Sequence, residues 1–146
     1  MILDTLVWAL MSARPVVTTY RPKTAAQTFE RVRAGDDPRL AVGDFLDDWR
    51  RTPPSRRASL VASPIGDAGR DADGRRWAAF FAAMVDQLCA EAGLESPAWT
   101  TRSAYRLKEP WFLVPGWALR AWQLTTTPVP FRMRNIFGGD NLLNRA

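Results

Sequence analysis

Carboxylates are the side chains through which this sequence could do chemistry. They fall in three clusters: Asp36-Asp37, Asp47-Asp48, and Asp67 with Asp71 and Asp73. Neighbouring acids can share a proton or hold a cation. The first pair stands at a helix start, where acids suit the helix dipole. The second belongs to the polar face of an amphipathic stretch. The third lies in a Gly-rich loop and could gather round a cation, although its order is not that of an EF-hand. A structural role is expected for all three. An enzyme with a carboxylate-bound metal is the catalytic alternative, and it requires Asp67, Asp71 and Asp73 to converge.

The remaining catalytic equipment is missing from the sequence. There is no histidine, which removes the commonest general base, the commonest metal ligand and every Ser-His or Cys-His pair. The one cysteine, Cys89, has no histidine to share a zinc ion with, and it reads as a small buried hydrophobe beside an apolar helix face. Gly138-Gly139 does not match the phosphate-binding glycine spacings, and no Gly-x-x-x-x-Gly-Lys-Ser/Thr is present. The expectation is a protein that is not an enzyme, with no metal and no cofactor.

Binding chemistry is better represented. Residues 1–99 carry 13 basic and 13 acidic side chains, whereas residues 100–146 carry seven and two, so the net charge of +5 lies in the last third. Four of the seven tryptophans, Trp99, Trp111, Trp117 and Trp122, crowd into the same region. Aromatic residues interleaved with arginine can stack on bases or anchor a protein interface, and a basic patch attracts anionic partners. Packing of most of these tryptophans on the core is the competing reading, because Phe112, Leu113, Val114 and Leu119 also need burial. In Pro130–Phe137 arginine alternates with apolar residues, as in a half-exposed strand or extended arm. Phe131, Met133 and Asn135 would face one way, and Arg132, Arg134 and Ile136 the other.

These residues must be positioned by helices. Leu3 to Ala13 reads as a helix that ends before Pro15, and Val16–Tyr20 as a short β-prone connector. The next helix runs from about Ala25 to Ala34, between Thr24 as N-cap and Gly35 as stop. Asp37 and Pro38 then open a helix whose Val42, Phe45, Leu46 and Trp49 repeat at i, i+3, i+4, i+7, closed by Pro53-Pro54. A short helix is expected over Ser55 to Ala62 and a loop over Ser63 to Gly74. The central core helix should span about 74–92, with Trp77, Phe80, Phe81, Met84, Val85 and Leu88 on one wide apolar face and Gly93 after it. The rest is irregular and rich in Pro and Trp, apart from a helix over Gly116 to Thr126 and a final turn over Asn141 to Ala146.

At 146 residues the chain fits one domain, and a chain of this size hides roughly 70% of its unfolded surface. A single cysteine allows no internal disulfide, and with no signal peptide read in the sequence a reducing cytoplasm is the expected compartment. The apolar start, with Leu3, Leu6, Val7, Leu10 and Met11, is too short for a span of about 20 apolar residues. It reads as an amphipathic or buried helix, with an interfacial anchor as the alternative, and it could pair two chains. Arginine and alanine outweigh lysine and isoleucine, a composition of GC-rich genomes.

One motif order stands out. Asp44-Phe45-Leu46-Asp47-Asp48-Trp49, a Gly/Asp loop, the Trp77–Leu94 helix and Pro97-Ala98-Trp99 come first. Pro110-Trp111-Phe112, Pro130–Phe137 and Leu142-Leu143-Asn144-Arg145 follow. Over residues 36–146 this order resembles the C-terminal domain of a group of actinobacterial proteins, many of which carry a phage-repressor-type helix-turn-helix domain before it. Genes of that group often lie beside a nucleotidyltransferase-like gene. The resemblance implies an antitoxin that neutralises a partner protein by stoichiometric contact. The first 35 residues are too few for a repressor domain, so the expected partner is a protein, with nucleic acid bound through the basic third as the alternative.

The combined expectation is a mainly α single domain over 1–146: an N-terminal helical extension over 1–35 and an antitoxin-like helical domain over 36–146. Its contact surface is assigned to Trp99, Trp111, Trp117, Phe131, Arg132 and Arg134. Reversing the charge of both Arg132 and Arg134 should abolish partner binding and leave the fold intact.

Overall fold

The computed structural model describes residues 20–144. The expected helix over Leu3 to Ala13, its pairing or anchoring role, and the connector up to Thr19 lie outside the described residues.

The fold is mainly helical. Helix α1 is Ala25–Arg33 and begins with a reciprocal capping box. The Gln27 amide donates to the Thr24 hydroxyl at 3.1 Å, and the Thr24 amide donates to the Gln27 side-chain oxygen at 3.0 Å. Helix α2 is Pro38–Arg51, with Pro38 in its first turn and the Asp37 carboxylate accepting from the Arg39 amide at 3.0 Å. Its expected stripe of Val42, Phe45, Leu46 and Trp49 is buried. A 3-10 turn, Pro54–Arg56, leads into the short helix α3, Arg57–Val61.

Helix α4, Ala72–Glu91, is the centre of the molecule. It starts two residues before Gly74 because Asp71 supplies the cap, accepting from the amides of Asp73 and Gly74 at 3.4 and 3.1 Å. Beyond its apolar face, Ala78, Ala79, Ala82 and Ala83 are also buried, so its middle is surrounded on every side. Phe81 meets Phe29 of α1 edge-on, with ring centroids 5.4 Å apart. Helix α1 therefore belongs to the same core as α2 and α4, although it falls within the expected extension. Each fully buried phenylalanine of this kind stabilises the fold by about 1.5–3 kcal/mol. Gly93, at φ +68°, ends the helix in the left-handed conformation expected of it.

The last third wraps α4. Two 3-10 turns, Ala98–Thr101 and Ser103–Tyr105, pack on it, and Trp99 donates its indole N–H to the Val61 carbonyl at 2.9 Å. Strand β1, Trp111–Phe112, pairs in parallel with β2, Ile136–Phe137, in the register Trp111–Ile136 and Phe112–Phe137. Between them lie α5, Arg120–Thr126, and α6, Val129–Arg132. The expected extended arm over Pro130–Phe137 is thus corrected: only its last two residues are strand. Pro128 caps α6 and Pro130 sits in its first turn, where amide N–H groups have no partner within a helix, so proline is tolerated there. Asn135 then takes φ +67°, a conformation asparagine adopts more readily than most residues, and turns the chain into β2. Residues 116–119 form turns, so α5 is shorter than the expected helix from Gly116. The end folds back on α2, where Arg50 donates to the Leu143 carbonyl at 2.8 Å.

Candidate binding face

The helical turn of α6 separates the expected contact residues. Phe131 and Arg134 lie three apart and share the side turned to α4, while Arg132 and Met133 point outward. Phe131 is fully buried, its ring edge-on to Phe80 at 5.2 Å. Arg134 is 4% exposed. It donates to the Asp86 carboxylate at 3.3 Å and to the carbonyls of Pro130 and Thr100 at 2.7 and 2.8 Å. Burial pulls its pKa below the usual arginine value, and the facing Asp86 charge opposes that shift. Trp99 is buried through its bond to Val61, and the half-buried Trp111 packs edge-on against Trp77 at 5.1 Å. Trp99, Phe131 and Arg134 are therefore core residues and do not form a contact surface. Trp117 and Arg132 remain exposed.

Trp117 is 81% exposed, and it stands on a stack built from the strand pair outward. Phe137 of β2 stacks on Phe112 of β1 at 5.2 Å. The Arg120 guanidinium lies over Phe112 at 4.6 Å and over the Trp117 ring at 4.1 Å. Each such cation–π contact contributes about 0.5–1 kcal/mol at an exposed site. The Arg120 Nε is shielded from solvent and meets no acceptor.

Helix α5 is fastened at its middle and at its C-terminal end to the exits of the strands. Buried Gln123 accepts from the Val114 amide and donates to the Val114 carbonyl, both at 3.1 Å. The Thr127 hydroxyl donates to the Gln123 carbonyl and accepts from the amides of Gly138 and Gly139 at 3.1 and 2.9 Å. These bonds use the inner side of α5. Its outer side shows Ala121, Leu124 and Thr125 to solvent.

Seven large hydrophobic residues are exposed among the described residues, and five of them are Trp117, Leu119, Leu124, Val129 and Met133. The run from Pro110 to Gly139 contains no acidic residue and three arginines. With Arg134 committed to Asp86, the solvent side of this run is apolar with Arg120 and Arg132 as its cations. Sequence reasoning missed Arg120, Leu124 and Phe112. The acid-free run was a usable signal for them, because charge counted over the whole last third blurred its limits.

An apolar cleft of about 770 Å³ adjoins this segment where β1 ends. Leu113, Val114 and Pro115 form one wall, and Leu40, Val42 and Leu46 of α2 the other. Its polar groups, including Asp37, Arg39 and Asn141, do not make an acid–base pair.

The acidic clusters serve the backbone or bind arginine. Asp67 accepts from the Gly69 amide at 2.9 Å, and Asp71 caps α4. Asp36 holds Arg31 at 2.9 Å. Asp48 is buried and not on a polar face, accepting from the Tyr20 hydroxyl at 2.7 Å and the Lys23 amide at 3.2 Å. Among the described residues no three His, Cys, Asp or Glu side chains converge as a metal site would require. No helix among them is long and apolar enough to cross a membrane. Comparison of the chain with protein-family models, with curated proteins and with solved structures finds no match.

Proposed function

We propose that this chain is a non-catalytic binding protein that holds a partner protein against the outer surface of residues 117–133. The observation that carries the reading is Trp117, 81% exposed among exposed aliphatic residues on a rigidly backed segment. Single exposed hydrophobics are ordinary on a monomer, but a concentration of them marks an interaction site. Tryptophan and arginine dominate the energetics of such sites. Together with the resemblance over residues 36–146, this supports an antitoxin-like or regulatory role in the cytoplasm. The partner would be a co-encoded, nucleotidyltransferase-like protein.

Nucleic acid fits the face less well. A phosphate backbone is held by many cations at once. Here Arg134 is taken up by Asp86, and beside the one stacking plane of Trp117 the exposed residues Leu119, Leu124, Val129 and Met133 offer none for a base.

The test is co-purification of the tagged chain from its native host, co-expressed with the protein encoded beside it, which this reading expects to be nucleotidyltransferase-like. Wild type and W117A/L124E are compared. The wild type retains the neighbour, and the double variant loses it while melting at the same temperature. Equal retention by both would place the contact elsewhere. A gel shift that weakens steeply with salt and ignores L124E would move the function to nucleic acid.

A further inference from the structure

We infer that Arg120 is the specificity point of this face, a preorganised fork for a carboxylate side chain of the partner protein flanked by apolar residues. The inference rests on the protein-binding reading above and names what the face selects.

Arg120 is partly buried, and no hydrogen bond or ion pair engages its guanidinium. Among the described residues, each of the other arginines that is not exposed has an oxygen partner: Arg31 has Asp36 and Asp44, Arg57 has backbone carbonyls, and Arg134 has Asp86. Arg120 is held by ring faces alone, Phe112 on the strand side and Trp117 on the solvent side. The two rings hold the guanidinium without supplying an acceptor for its N–H donors. The arginine has therefore already lost much of its rotamer freedom, while the edge formed by its two terminal nitrogens stays unused. A carboxylate matches that edge with two parallel hydrogen bonds.

The surroundings favour a carboxylate over a phosphate. Between Pro110 and Gly139 no acid competes for the arginine. Within that run the one other exposed cation is Arg132, too few for a phosphate-rich ligand. The groups next to the fork are Trp117 and Leu119, which suit the apolar neighbours of an acidic side chain on a partner.

The experiment is NMR titration of the full chain, following the Trp117 indole N–H and the Arg120 Nε–H. The probes are a capped Ala-Leu-Glu-Leu-Ala peptide, its Gln and phosphoserine counterparts, and a ten-nucleotide oligo-dT. The Glu peptide should shift both signals and bind about five- to tenfold more tightly than the Gln peptide. In R120Q and R120K that preference should vanish, in the lysine variant because a point charge replaces the fork. Unchanged W117A and R120K spectra elsewhere keep the result independent of folding. Equal binding of the Glu and Gln peptides, tighter binding of phosphoserine or oligo-dT, or no shift with any probe overturns the inference. Equal Glu and Gln binding that still moves Trp117 leaves the protein-binding reading standing. That reading falls only if W117A/L124E retains the co-purified neighbour.

Discussion

Arg134, in the turn that follows α6, and Asp86 of α4 meet at 3.3 Å, and this ion pair locks the last third of the chain onto the central helix. Arg134 also satisfies the carbonyls of Pro130 and Thr100, so one side chain ties together three segments. Truncation to R134A should cost about 3 kcal/mol, since it empties a packed site and leaves two carbonyls without their donor, while Asp86 keeps only the Ser96 hydroxyl. R132E, on the exposed side of the same turn, should change stability by less than about 0.5 kcal/mol. Urea unfolding of the two variants checks the contrast. The double reversal R132E/R134E therefore breaks the fold before it can report on binding.

Thr127 supplies the single hydroxyl that two buried amides, those of Gly138 and Gly139, share as acceptor. T127V keeps the shape and removes the oxygen. It should destabilise by about 2 kcal/mol, because an unsatisfied buried N–H costs about 1–3 kcal/mol. T127S should remain near wild type. Similar losses in both variants would show that the methyl group, and not the hydroxyl, matters.

Gly139 and Gly93 both sit at positive φ, +85° and +68°. A side-chain carbon at Gly93 meets open space, whereas at Gly139 it runs into the Trp122 ring. G93A should cost about 1 kcal/mol, the usual penalty for a left-handed alanine. G139A should cost at least about twice that, because the ring must also move. A shift in Trp122 fluorescence should accompany the loss in G139A alone.

Cys89 is fully buried, and its thiol is pushed up to about 11 by that burial, with Asp86 adding to the shift. A thiol whose pKa is raised on folding stabilises the native state fully below the unfolded value. That contribution is lost as pH rises through the folded value. The window is therefore from about 9 to about 11. C89A should be about 1 kcal/mol less stable than wild type at neutral pH, from the lost packing, and the gap should narrow above pH 9. At neutral pH a disulfide reagent should modify Cys89 only at the rate of unfolding.

The helices were legible because their signals are local. Thr24 with Gln27, Asp37 with Pro38, and Gly93 each act within four residues, and α1, α2 and α4 follow them. The last third resisted the same treatment because its organising contacts are distant in sequence. Strand β1 finds its partner 25 positions later, a pairing no local period encodes. The alternation across Phe131–Ile136 suited a strand equally well, until burial of Phe131 on Phe80 decided for a helical turn. For the candidate site, tryptophan content singled out the last third but could not sort its members. Trp99 and Trp117 look alike in composition, and only the indole bond to Val61 and the cation stack on Arg120 tell them apart.

The parallel strand pair closes the loop that carries the proposed binding face. The Trp111 amide reaches the Asn135 carbonyl and the Leu113 amide the Phe137 carbonyl, each at 2.9 Å, so the two ends of the intervening segment are held side by side. A loop with fixed, adjacent ends behaves as a cassette. Its outward residues can be exchanged for those of a relative, or randomised in a library, while the clamp and the core beneath are left untouched. If the face binds as proposed, partner choice can diverge by changes in a stretch of some twenty residues, and that stretch is the natural unit for transplanting or redesigning it.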